Sequence, residues 1–104
     1  KNADGKWVTA NFQSVTAAAS NSKDLGADFR GSITNAGGAE TWPISTYTWL
    51  LIPSKISDPG KKKAIKDFLA WMLTTGQKDA QGLSYAPLPA RVVEAEKKQI
   101  AAIQ

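Results

Sequence analysis

The chain has 104 residues, which is enough for one domain and too few for two. Its 42% hydrophobic and 21% charged residues are typical of a globular chain and exclude a low-complexity, disordered one. Cysteine and histidine are both absent, which excludes disulfides, thiolate metal sites, a cysteine nucleophile and the commonest general base. With 13 Lys and Arg against 9 Asp and Glu, the net charge of +4 permits an anionic partner without indicating one.

The first part of the chain predicts a turn, a helix and a long loop, in that order. Residues 2–6 favour the turn because they contain Asp-Gly, a common hairpin dipeptide. Residues 12–19 favour the helix, which ends in three alanines and has Ser14 as a candidate cap. Residues 21–39 are polar and glycine-rich, and they predict a loop with at most a short strand or turn.

Residues 42–52 predict a β-strand. They are rich in aromatic and β-branched residues, and the prolines lie near the two ends, where a strand tolerates them. The run 49–52 is apolar without alternation, which is typical of a strand covered on both faces by helices. The predicted fold class is therefore α/β.

The last part of the chain predicts three helices. The first spans 58–75, with Asp58 as the N-cap and Pro59 at the first helical position. Residues 77–83 predict a short second helix and residues 90–103 a final one. Four apolar residues of the first helix recur at helical spacing and predict one packing stripe: Ile65, Phe68, Leu69 and Met72.

Three features are candidates for chemistry, and each has a plainer explanation. Arg30, Ser32 and Thr34 are residue types that bind oxyanions, but solvated loops are rich in the same types. The lysines at 61–63 could contact phosphates or anionic lipid, or could form a solvated helix face. Asp24 and Asp28 would share a face only if the segment between them were helical. The carboxylates of the chain give no recognisable catalytic arrangement.

Several segments taken together resemble the periplasmic phosphate-binding proteins of bacterial phosphate ABC transporters. The resemblance spans nearly the whole chain, and the order and spacing of its short motifs are specific. The segments are residues 4–8 (DGKWV), 42–53 (WPISTYTWLLIP), 67–71 (DFLAW), 75–78 (TGQK), 83–89 (LSYAPLP) and 92–93 (VV).

The resemblance implies a carboxyl-terminal fragment of a two-lobed, type 2 periplasmic-binding-protein clamp. Residues 1–41 would belong to the second lobe, 42–53 would be a crossover strand, and 54–104 would be helices packing on the first lobe. The implied function is part of a high-affinity receptor that binds inorganic phosphate without reacting with it and delivers it to an importer. The implied partners are the membrane permease subunits and the remaining part of the receptor. The implied location is the periplasm, or the cell surface as a lipoprotein in a Gram-positive cell.

The resemblance assigns no ligand residue to this chain. The family grips phosphate with hydroxyls, backbone N–H groups, one Asp and one Arg followed shortly by Ser-Gly-Thr, and that tripeptide does not occur here. The similarity of Arg30, Ser32 and Thr34 to the phosphate-binding residues of the family is therefore weak. Four residues are expected at the hinge between the lobes: Trp42, Pro43, Ile44 and Ser45. We expect no enzyme activity, cofactor, metal or nucleic acid, and two alternatives stay open: a receptor for another oxyanion, and a free-standing basic interaction module.

Overall fold

The computed structural model describes residues 1–22, 25–26 and 28–104, and the predicted helices are present in this part of the chain. Their bounds are Phe12–Asn21 (α1), Pro59–Met72 (α2), Gly76–Asp79 (α3), a 3-10 helix at Gln81–Leu83, and Ala90–Ala101 (α4). None of these helices is long and apolar enough to cross a bilayer. The predicted pairing of Asp24 with its neighbour four residues on lies outside the described residues.

Helices α1 and α2 begin where side chains satisfy their first backbone donors. The Asp58 carboxylate accepts a hydrogen bond from the Lys61 amide at 3.0 Å, and Pro59 follows, as predicted for α2. The predicted start of α1 at residue 12 is confirmed, but the predicted cap is wrong, because Asn11 is the N-cap and Ser14 is the third helical residue. The two side chains cap each other's backbone amides, at 2.8 and 3.1 Å.

The predicted β-strand at residues 42–52 is wrong for this chain. The segment is irregular, and the described residues contain no strand at all. No backbone–backbone hydrogen bond involves residues 44–53 in the part of the chain that the structure describes. A strand exists only when a neighbouring strand supplies donors and acceptors, and the residues that the structure describes hold no second strand to pair with.

The core is small and consists of aliphatic side chains. α2 packs on α4 and α3, with Leu69 buried at this junction. Of the predicted stripe, Ile65 and Met72 are half-buried, but Phe68 is 56% exposed, so its predicted burial is wrong here. Phe68 lies on a flank of α2 that no other element covers among the described residues. The buried apolar residues are Ala18, Ala19, Ile33, Ile56, Leu69, Leu73 and Val92.

Polar contacts join α4 to the earlier parts of the chain. The Arg91 guanidinium donates to the Ser22 carbonyl at 2.9 Å, just beyond the end of α1. Just beyond the other end of α4, the backbone N–H of Gln104 donates to the Ser54 carbonyl at 3.0 Å, and the backbone N–H of Ile56 donates to the Gln104 carbonyl at 2.7 Å. These contacts hold both ends of α4 and fix its position against α1 and α2.

Candidate functional site

An open, polar cavity lies beside the carboxyl end of α1, and we call it the polar cavity. Its volume is about 660 Å³, and Ser32 and Thr34 of the predicted oxyanion set both line it. The described residues that line it are all uncharged: Asn21, Ser22, Ser32, Thr34, Asn35, Ala36, Gly37 and Gly38. These hydroxyl and amide groups can donate and accept hydrogen bonds, but the described part of the lining supplies no cation for a dianion.

The two hydroxyl residues of the predicted oxyanion set, Ser32 and Thr34, already have local partners. The Thr34 hydroxyl donates to the Ser45 carbonyl at 3.1 Å, and the Ser32 hydroxyl accepts from the Thr34 amide at 3.2 Å. Asn35 adopts a left-handed conformation (φ 52°), and its amide donates to the Pro43 carbonyl at 2.8 Å. The cavity wall is therefore a turn tied to the segment that follows it.

Arg30 is separated from the two hydroxyls. Its Nε lies 3.0 Å from the Asp28 carboxylate, and both side chains are largely exposed, at 85% and 60%. The Arg30 amide also donates to the same carboxylate at 3.2 Å. Arg30 does not line the polar cavity, so the structure brings Ser32 and Thr34 together and leaves the guanidinium elsewhere.

Three of the four predicted hinge residues take part in hydrogen bonds, and the fourth, Ile44, is largely exposed. The Trp42 amide donates to the Ser14 carbonyl of α1 at 3.0 Å, and Pro43 accepts from the cavity turn. Ser45 is buried, and its hydroxyl donates to the Trp42 carbonyl at 2.7 Å. Ile44, between them, is 78% exposed. Residues 42–45 thus connect α1 with the polar cavity, and their role as a hinge stays a prediction.

Sequence reasoning missed Asn2, which organises this region. Asn2 is 6% exposed, and its amide nitrogen donates to the carbonyls of Gly38, Ala39 and Thr41 at 3.0, 2.9 and 3.3 Å. Its side-chain oxygen accepts from the Lys6 amide at 2.9 Å. Thr41 is fully buried beside it. The available signal was an asparagine heading an Asp-Gly turn, a residue type that bonds nearby backbone.

Two ionisable groups are shifted by burial, and neither lines the polar cavity. Burial raises the pKa of the Tyr47 hydroxyl, while the Arg91 charge lowers it and Glu96 raises it further. That hydroxyl is buried without a hydrogen-bond partner in the described part of the chain. Burial also raises the pKa of the Glu96 carboxyl. The described residues bring no three acidic side chains together as a metal site would require.

Comparison with known proteins confirms the resemblance seen in the sequence. The chain is similar, over most of its length, to bacterial and archaeal phosphate-binding proteins. These relatives are named phosphate-binding protein PstS. The identity is 43% over 95 residues for Xylella fastidiosa strain Temecula1, 34% over 100 residues for Haemophilus influenzae, and 35% over 89 residues for Methanocaldococcus jannaschii.

The alignments cover most of this chain and a small part of each relative. They span 90%, 95% and 75% of the chain, but 26%, 30% and 23% of the three relatives respectively. The chain thus corresponds to about a quarter of the length of the curated relatives it matches. No protein-family model matches the chain.

Proposed function

We propose that this chain is the carboxyl-terminal part of a high-affinity receptor that binds inorganic phosphate and delivers it to an ABC importer. The single observation that supports this is the 43% identity, across nine-tenths of the chain, to a protein named phosphate-binding protein PstS. The receptor binds phosphate without transforming it. It works outside the cytoplasmic membrane, in the periplasm or as a cell-surface lipoprotein, and passes its ligand to the permease subunits.

The proposal includes a two-lobed α/β clamp that closes around the anion. Residues 1–41 belong to its second lobe, 42–53 cross between the lobes, and 54–104 pack on the first lobe. In this arrangement Trp42, Pro43, Ile44 and Ser45 form the crossover. Two observations support it: residues 42–45 are anchored at one end to α1, and residues 44–53 make no backbone–backbone bond within the described chain.

We propose that the phosphate-binding residues lie in the part of the receptor that this chain does not span. The polar cavity supports this, because its lining contains no cationic side chain among the described residues. Recognition of a phosphate dianion ordinarily uses charge-assisted hydrogen bonds. Of the two guanidinium groups near the cavity, that of Arg30 is paired with Asp28, and that of Arg91 donates to the Ser22 and Ala19 carbonyls. Arg30, Ser32 and Thr34 are accordingly not assigned to the ligand.

Isothermal titration of phosphate tests the proposal. The full-length protein that contains this chain is expected to bind one phosphate, and to bind it equally well after Arg30→Ala and after the control Lys6→Ala. A full-length protein that binds no phosphate would contradict the proposed function. Loss of binding in Arg30→Ala alone would place a ligand residue in this chain. Competition with sulfate and arsenate separates phosphate from another oxyanion.

A further inference from the structure

The net positive charge of the chain is concentrated in residues 54–66, which we call the basic end. Of the 13 basic and 9 acidic residues of the chain, five lysines and one aspartate lie in this segment, which leaves eight of each sign elsewhere. The segment therefore carries the whole net charge of +4. The electrostatic attraction of an anionic partner is thus directed at the approach to α2 and its first two turns.

Most of the positive charge at the basic end is not neutralised by acidic side chains among the described residues. Lys63 pairs with Asp67, whereas Lys66 donates to two uncharged backbone carbonyls at the end of α4. The lysines at 55, 61 and 62 form no ion pair in the part of the chain that the structure describes. Asp58, the one acidic residue of the segment, caps α2.

The lysines in the first turns of α2 do not assist the formation of this helix. The amino end of a helix is the positive end of its macrodipole, which favours acidic residues there. The first turn of α2 contains no acidic residue, and lysines occupy positions 61–63 instead. Natural sequences depart from such local preferences chiefly where a function requires it. The arrangement therefore indicates a use for this charge outside the fold.

We expect these lysines to stay at the surface when the rest of the receptor is present. An ammonium group is costly to bury without an acidic partner, and lysine is among the residues least often buried. Lys55 and Lys61 are exposed, and Lys62 is half-buried. The basic end differs in this respect from an exposed apolar face, which a neighbouring segment covers at a gain in free energy.

The composition of the basic end fits lipid headgroups better than it fits a protein partner. Protein interfaces are enriched in arginine and aromatic residues and depleted in lysine. Residues 54–66 contain neither arginine nor an aromatic residue. Lysine is a flexible point charge, which suits a mobile array of phosphate groups, and clusters of roughly four to eight basic residues are typical of segments that bind anionic membranes.

We propose that the basic end docks the receptor reversibly on the anionic phospholipid headgroups of the membrane that holds its importer. The proposal rests on the proposed function for the location of the receptor outside that membrane. Each lysine contributes a modest attraction that acts only within a Debye length, so the attachment is weak and sensitive to salt. Docking restricts the search for the importer to the membrane surface.

Vesicle flotation of the full-length protein tests the proposal. The protein is expected to bind vesicles of phosphatidylcholine with phosphatidylglycerol at low salt, to dissociate at high salt, and not to bind phosphatidylcholine alone. A basic-end variant, with Lys55→Gln, Lys61→Gln and Lys62→Gln, should bind the anionic vesicles about 100-fold more weakly, at roughly 5-fold for each lysine. The control variant should stay within about 3-fold of the parent protein, because its charges lie elsewhere. It removes three exposed lysines outside the basic end: Lys1→Gln, Lys6→Gln and Lys78→Gln.

Each other outcome has a definite meaning. Equal binding of the two variants would overturn the proposal, and so would equal binding to the two kinds of vesicle, which is what a lipid anchor alone produces. Binding to neutral vesicles that appears only when they contain the permease would overturn it in favour of an acidic protein surface. A protein that binds phosphate but not anionic vesicles would contradict the docking alone, whereas one that binds the vesicles but no phosphate would contradict the proposed function alone.

A measurement without substitution guards against misfolding of the variants. Acetylation of the unsubstituted full-length protein, read by mass spectrometry, compares Lys61 and Lys62 with Lys78 in the presence and absence of anionic vesicles. The vesicles are expected to slow acetylation of Lys61 and Lys62 several-fold and to leave Lys78 unchanged. Equal slowing at all three lysines would overturn the proposal. Slow acetylation of Lys61 and Lys62 without vesicles would also overturn it, because the receptor itself would then cover them.

Discussion

The Asn2 side chain offers the sharpest test of what holds the amino-proximal region together. Its amide nitrogen has two hydrogens for three carbonyls, of which Gly38 and Ala39 are nearest, and its oxygen accepts from the Lys6 amide. Three net hydrogen bonds at about 1 kcal/mol each predict that Asn2→Ala lowers the free energy of unfolding by about 3 kcal/mol. That is a large share of the roughly 5–15 kcal/mol of an ordinary domain.

Urea unfolding followed by circular dichroism measures this cost. Lys6→Ala is the matched control, because only the Lys6 backbone takes part, and it should stay within about 0.5 kcal/mol of the parent chain. Asn2→Asp should cost more than Asn2→Ala, since its carboxylate would face three carbonyl oxygens with no proton to donate. The reasoning would be refuted if Asn2→Ala lowered the free energy of unfolding by less than about 1 kcal/mol, or if Asn2→Asp lowered it by less than Asn2→Ala does.

Two further predictions concern α4. Arg91→Met keeps the aliphatic part of the side chain but removes the guanidinium that donates to the Ser22 and Ala19 carbonyls at the end of α1. It should lower the free energy of unfolding by about 1 kcal/mol in the same urea titration. An unchanged unfolding midpoint would contradict a stabilising role for these hydrogen bonds. Burial raises the pKa of Glu96 in the folded chain, so the folded state binds the proton more tightly, and Glu96 disfavours folding above its folded pKa. This penalty fades as the pH falls through that pKa towards the ordinary value of 4.5. Glu96→Gln should therefore stabilise the chain at pH 7 and progressively less at lower pH, and a gain independent of pH would contradict the assignment.

The helices could be predicted from the sequence because their signals are local. Asp58 and Pro59 start α2 through contacts within three residues, and no distant partner is needed. The cap of α1 was misassigned because Asn11 and Ser14 are both capping types, and the structure uses both in one reciprocal pair. Local signals therefore fix where a helix forms more firmly than which residue caps it.

The candidate site was less predictable because loop backbone decides which side chains meet. Phe29 adopts a left-handed conformation (φ 60°), which a phenylalanine rarely does and which its residue type does not indicate. Asn35 turns the chain in the same way six residues later. Between these two turns, Ser32 and Thr34 line the polar cavity while Arg30 pairs with Asp28 outside it. Three residues close in sequence thus separate into two environments.

The two clearest departures from the predictions share a physical cause. Residues 44–53 have the composition of a strand but no backbone partner in the described chain, and Phe68 has the spacing of the predicted packing stripe but is 56% exposed there. Both patterns depend on neighbours distant in sequence, whereas a helix satisfies its own backbone. In an α/β fold these needs are linked, because helices bury their apolar faces on a sheet and the sheet's middle strands are buried under helices. A single additional segment that paired with residues 44–53 would form a sheet and create the surface on which α2 could pack. The absence of the predicted strand and the exposure of Phe68 are therefore better explained by one common cause, the lack of a neighbouring segment in the described chain, than by two separate errors of pattern.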